Sequence, residues 1–285
     1  MDEFSVVLRA REFVHKAGTP ILPPSMEGYL RAVGGVLRRE HDMEPGEAGS
    51  AFEADGKYYV CVNAEDSDER QRFTICHEIA HKVLGLPSDH ATQWWSYAKR
   101  PPNEVLCDVF AAELLLPHQL FEPLAEKARI TFAAIEELGA SFVASITSTG
   151  SRFAMVLSAP CAFVLSEQGV VRYASRSKTL RDAGAWIPPR LSVPSASVSA
   201  RIRSGGRCEA AEEIAADLWF NEWRRGGVLL EEARYLRPWD QTLTLLWFED
   251  EEVPGPVRED GEQEEEPLLR ELDGSLPWPG KKRRR

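Results

Sequence analysis

His77 and His81 stand four residues apart in the run Arg72-Phe73-Thr74-Ile75-Cys76-His77-Glu78-Ile79-Ala80-His81, with Glu78 directly after the first histidine. On an α-helix such a pair is about 40° apart around the axis and ~6 Å apart along it, so both imidazoles reach one ion. Glu78 lies about 100° round from His77, beside that ion, where a carboxylate can act as a base toward water on a metal. A chance His-Glu-x-x-His in a chain of 285 residues has a probability on the order of one per cent. The motif requires a helix here and a second element to complete a ligand set.

Two histidines do not make a catalytic zinc site; a third protein ligand is needed, with one position left for water. Glu104, in the first turn of the next expected helix, is the stronger candidate, with Asp108 one turn on. One carboxylate of such a pair can bind the ion while the other accepts the free N–H of a ligating histidine. Glu113 is the rival. The two glutamates lie ~13 Å apart in helical rise, so both cannot bind one ion. Cys76 and Cys107 neighbour the proposed ligands. A thiolate in the fourth position would close the site and make it structural, but cysteine on an apolar helix reads as a small buried hydrophobe.

The run from Arg72 to His81, followed by Glu104-Val-Leu-Cys-Asp-Val-Phe-Ala-Ala-Glu-Leu-Leu-Leu-Pro117, resembles the ImmA/IrrE family of metallo-endopeptidases. The resemblance covers about 1–120, with Leu116 standing where methionine is common. It implies an α+β, zincin-like fold and zinc held by His77, His81 and Glu104, which favours Glu104 over Glu113. With that ligand set Glu78 is the expected catalytic base, Asp108 the support for a ligating histidine, and manganese an alternative ion. The implied substrate is a helix-turn-helix transcriptional repressor, cleaved in a stress or DNA-damage response or in mobile-element regulation. A regulator that binds a repressor without cutting it is the competing reading, which the intact Glu78 disfavours. A structural zinc domain is a third, and it requires a fourth protein ligand.

Four segments are expected: a metallopeptidase domain over 1–125, a helix-turn-helix-like segment over 126–152, an α+β module over 153–248 and a disordered tail over 249–285. In the first, helices are expected over Phe4–Gly18 and Met26–Val33. Two strand-like runs follow, the second being Lys57–Ala64. The motif helix is opened by an Asp66/Glu69 capping box. A loop covers 86–100, and a helix runs from Glu104 toward Pro117. The strand 57–64 could border the cleft and pair with an extended substrate. Tyr97, His90 and His118 are within chain reach of an oxyanion, and none is singled out.

The helical segment turns at Gly139-Ala140-Ser141 and carries no Lys or Arg between Ile130 and Ser151. DNA readers need basic or amide side chains for phosphates and base edges, so docking or support is expected rather than direct DNA binding. In the third segment, strands are expected from Phe153 to Ser177 with a turn at Gln168-Gly169, an amphipathic helix over 209–223, and closing strands. This part resembles GAF-like modules more loosely. Trp219, Trp223, Trp239 and Trp247 could line a ligand pocket but read more simply as core.

Charge is uneven. Residues 249–273 hold twelve Asp and Glu against Arg258 and Arg270, and Lys281–Arg285 are all basic. Taking both runs from the total of −11 leaves −6 on the body, which disfavours a broad phosphate-tracking surface. The acidic stretch has too few apolar side chains to offset its ordering entropy. The five cysteines form no C-x-x-C pair, which argues against a disulfide scaffold or zinc ribbon. The N-terminus lacks the pattern of a signal peptide, and no run reaches the ~18 apolar residues of a membrane span. A cytoplasmic location is expected.

Overall fold

The computed structural model describes residues 1–18, 21–44, 46–87, 101–205, 209–249 and 253–254. The chain is a mixed α+β protein. Helix α1 (Glu3–Ala17) is capped by Asp2, whose side chain accepts from the Ser5 amide, and it ends on Gly18 at φ 64°. Ser25 caps α2 (Met26–Ala32) in the same way. Three strands follow where two were expected: β1 (Gly35–Glu40), β2 (Gly49–Ala54) and β3 (Lys57–Asn63). Asp55 and Gly56, at φ 52° and 70°, make the tight turn between β2 and β3.

The strand order is β1-β3-β2, with β1 parallel and β2 antiparallel to β3. This bears on the strand 57–64. Both edges of β3 are already hydrogen-bonded, so an extended substrate cannot pair with it.

Helix α3 (Asp68–Leu84) lies across this sheet, and from Thr74 to His81 every side chain is buried. Its cap is Ser67, not Asp66: Ser67 Oγ accepts from the Arg70 amide, while Asp66 pairs with Arg70 at 2.9 Å. Gly85, at φ 67°, stops it. Helix α4 (Pro102–Leu115) packs along α3 and α1, with proline in its first turn. Near its other end the Tyr29 hydroxyl donates to the Leu114 carbonyl at 3.1 Å. The loop expected over 86–100 lies outside the described residues from 88 onward.

Next come α5 (His118–Ala125), α6 (Phe132–Phe142) and α7 (Ile146–Val156). The turn between α6 and α7 is Val143-Ala144-Ser145; Gly139 to Ser141 remain helical. Gly139 serves closeness rather than reversal. A Cβ there would stand 3.0 Å from the Ala144 carbonyl oxygen and 3.2 Å from Thr149 Oγ1. Residues 153–156, expected to begin a strand, complete α7, which packs on β4 and β5.

Strands β4 (Cys161–Glu167) and β5 (Val170–Arg176) turn at Gln168-Gly169 as expected. Helices α8 (Lys178–Asp182) and α9 (Val198–Ser204) follow. Then come β6 (Glu209–Ala215), β7 (Val228–Leu236) and β8 (Gln241–Trp247). These strands form an antiparallel five-stranded sheet in the order β5-β4-β8-β7-β6.

The helix expected over 209–223 is therefore a strand followed by a short 3-10 turn. Alanine and glutamate favour helix by only tenths of a kcal/mol per residue, and the full ladder from Glu209 to Ala215 against β7 outweighs them. Exposed Glu209, Glu212 and Glu213 on this outermost strand discourage pairing with another chain.

The five-stranded sheet separates two apolar clusters. Phe163, Leu165, Leu243 and Leu245 face the core shared with α1, α3, α4, α6 and α7. Ala162, Val164 and Leu246 face the other, with Trp219 and Val198. The four tryptophans do not share a pocket. Trp219 is fully buried, Trp223 packs on the same side, Trp247 packs on the opposite side, and Trp239 is 63% exposed. The acidic tail lies outside the described residues except for Glu249, Val253 and Pro254, as do Cys208, His90 and Tyr97. Among the described residues no helix is long and apolar enough to cross a membrane.

Candidate metal centre

The four-residue spacing on α3 points His77 and His81 the same way, and the first turn of α4 brings Glu104 to them. One ligand atom from each of the three buried residues lies within 4.8 Å of the others. His77 Nε2 is 3.0 Å from Glu104 Oε2 and 3.1 Å from His81 Nε2, and His81 Nε2 is 3.6 Å from Glu104 Oε1. Four ligands around an ion at ~2.0–2.1 Å stand about 3.3 Å apart. The observed separations bracket that value.

The opposite ring nitrogens fix the tautomers. His81 Nδ1 is 3.2 Å from the Leu86 carbonyl oxygen, which can only accept, so this nitrogen carries the proton. His77 Nδ1 is 3.0 Å from Asp108 Oδ1 and likewise donates. In the neutral rings both Nε2 atoms then present lone pairs, and they converge with a carboxylate. That donor set is repulsive alone and suits a divalent cation with a preference for nitrogen and oxygen.

Glu78 is 1% exposed, and its backbone carbonyl accepts from the Tyr58 hydroxyl at 2.7 Å, tying α3 to β3. Burial raises the Tyr58 hydroxyl above its ordinary pKa, with the Glu78 charge adding to the effect. Cys107 is pushed up to about 12 by burial and then by the charges of Glu104 and Glu78. Burial also takes Cys76 to about 12, and its Sγ sits 3.6 Å from Met26 Sδ. Among the described residues neither sulfur belongs to the cluster of converging donors. The cluster supplies three protein donors and no sulfur.

Glu113 lies elsewhere. It is 1% exposed and bonded to Arg152 at 2.6 Å, to Arg11 at 3.3 Å and to the His118 amide at 2.9 Å. His118 itself pairs with Glu122 at 3.1 Å, and its pKa is lowered by burial and then by Arg11. Two contributors escaped the sequence reading. The Leu86 carbonyl is backbone and carries no residue signature. Tyr58 reads as an ordinary strand residue until β3 is placed beneath α3.

Residues 33–150 match the signature of the IrrE N-terminal-like domain, peptidase family M78. A radiation response metalloprotease IrrE of Deinococcus deserti is 29% identical over 196 residues, 65% of this chain and 68% of that protein. Residues 33–150 thus carry an IrrE N-terminal-like domain. The IrrE of Deinococcus radiodurans, which bears the same description, is 30% identical over 105 residues, and the match spans 35% of this chain but only 31% of that protein. The chain also shares its fold with a Mycobacterium tuberculosis transcriptional regulator at a TM-score of 0.54 and 14% identity, over 85% of this chain and 76% of that one. The matched region runs past residue 125 and takes in α6 and the first turn of α7.

Proposed function

We propose that this chain is a zinc-dependent, site-specific endopeptidase whose substrate is a helix-turn-helix transcriptional repressor. The observation that carries the reading is the convergence of the two Nε2 atoms with the Glu104 carboxylate. A zinc or manganese ion held by His77, His81 and Glu104 supplies Lewis-acid polarisation and lowers the pKa of water from ~15.7 toward ~7.

The protein's own groups do the rest. Asp108 and the Leu86 carbonyl hold the two rings in the tautomer that leaves Nε2 free to ligate. Glu78 takes the proton from the attacking water and passes it to the departing amide nitrogen. The deep burial of Glu78 and its position one residue past His77 keep that carboxylate in place.

The repressor, and the stress or mobile-element setting, come from the family and from relatives described as radiation response metalloproteases. Direct DNA binding is not part of the reading. Helix α7 packs on β4 and β5, and its Arg152 is engaged with Glu113 inside the protein. The enzyme works in the cytoplasm, beside its substrate.

The test is incubation of the full chain with a repressor encoded next to it, with and without a chelator. Chelator-sensitive cleavage at one bond is expected. Glu78→Gln should keep the metal and lose about 10²–10⁴-fold in rate. Cleavage by Glu78→Gln at the wild-type rate would remove Glu78 as the base.

A further inference from the structure

Away from the metal cluster, a cavity of about 730 Å³ opens between α2, β1, the start of α3 and the α6–α7 turn. Small-molecule sites are commonly ~300–1,000 Å³, apolar in lining and equipped with a few polar anchors. We propose that this cavity binds a small amphiphilic anion, a carboxylate carried on an apolar body.

Three arginines line it, Arg31, Arg39 and Arg72. The nearby Arg70 has a carboxylate partner in Asp66 at 2.9 Å. Among the described residues, Arg31, Arg39 and Arg72 make no ion pair within 4.0 Å. Arg39 Nε donates to Gln71 Oε1 at 3.1 Å, and Arg72 Nη2 donates to the Pro24 carbonyl at 2.8 Å; both acceptors are neutral. Arg72 Nε is buried and has no hydrogen-bond partner. A partly buried guanidinium with only neutral acceptors is costly, and an incoming carboxylate is the group that offsets the cost with two parallel hydrogen bonds.

Two acids, Glu27 and Asp68, also line the cavity, so its cationic excess is one charge and favours a monoanion over a phosphate-like polyanion. Leu30, Ile75 and Val143 give the apolar surface. Val143 is held at φ 54°, a conformation that β-branched residues rarely adopt, so the surrounding packing fixes this wall in place. Arg72 precedes His77 by five residues, about 7.5 Å along α3 and 140° around it. The cavity therefore opens on a different side of the helix from the metal cluster.

Calorimetric titration of the full chain with 4-phenylbutyrate, its neutral amide and inorganic phosphate tests this. The carboxylate should bind saturably, with the amide and phosphate about tenfold weaker or worse. Arg31→Gln, at an exposed position, and Arg39→Gln should each weaken it about tenfold. Arg72→Gln should do the same, with circular dichroism checking its fold. Glu104→Ala should bind the probe as wild type does, which separates this cavity from carboxylate capture at the metal cluster. Absent saturation, equal binding of the amide, tighter binding of phosphate, indifference to the arginine variants or loss in Glu104→Ala would each overturn the assignment.

Discussion

Replacing Glu113 with alanine separates the two carboxylates that compete in the sequence for the metal. Glu113 is bonded to three groups, and their exposure decides the cost. Arg11 is 43% exposed, so losing its 3.3 Å contact returns it to water at little cost. Arg152 is 9% exposed and cannot escape, and stranding its charge costs about 3–5 kcal/mol. The His118 amide loses its acceptor as well, which adds on the order of 1 kcal/mol. At ~2–4 °C per kcal/mol for a chain of this size, the variant should melt on the order of 10 °C lower. Arg152→Met in the same background removes the stranded charge and should recover more than half of the loss. Metal affinity of the folded variant should be unchanged, because Glu113 is not in the cluster. Urea unfolding followed by circular dichroism, together with zinc titration against a chromophoric chelator, measures both quantities. Wild-type stability in Glu113→Ala, or lost zinc binding with a native near-ultraviolet spectrum, would refute the reasoning.

Asp108→Asn keeps the shape of the His77 contact but removes the charge behind it, so zinc affinity should fall about 10–100-fold in the same titration. Asp240 is held below the ordinary carboxylate range by its hydrogen bonds from Arg203 at 2.8 Å. A depressed carboxylate contributes stability that is present above its unfolded pKa, near 3.8, and lost as pH falls through the lower folded value. Arg203→Gln should therefore be less stable than wild type at pH 7, with the gap closing toward pH 2; a gap that widens in acid would contradict this. At Gly150 an added Cβ would lie 2.3 Å from the Phe163 ring, so Gly150→Ala should cost about 1–3 kcal/mol in urea unfolding. A neutral result would mean that α7 can shift on β4.

The metal cluster was legible in the sequence because its geometry is local. The His77–His81 spacing works on any helix, and Glu104 needs only the next helix to return alongside. What local spacing could not give was anything decided across the chain. The segment 209–215 is made of helix-forming residues, and its partner β7 begins thirteen positions further on, so nothing nearby announces a strand. The inner place of β3 depends on β1 returning parallel to it across an intervening strand, and that pairing removed the expected substrate contact. Gly139-Ala140-Ser141 has the composition of a turn, yet the glycine is there because α7 comes too close for a side chain. Ser67 displaced Asp66 as cap by a single residue, within the ordinary uncertainty of reading a boundary from composition.

Because β4 shows one face to each apolar cluster, the front and back halves of this polypeptide are not interchangeable parts. Phe163 meets Phe132 edge-on at 6.4 Å, and the family signature stops at residue 150, partway along α7. A fragment ending there would carry every proposed ligand yet bare the wall that Phe163, Leu243 and Leu245 normally cover. The chemistry at one end is thus inherited together with the scaffold at the other, and a relative that traded away its rear sheet would have to rebuild the floor beneath its own front half.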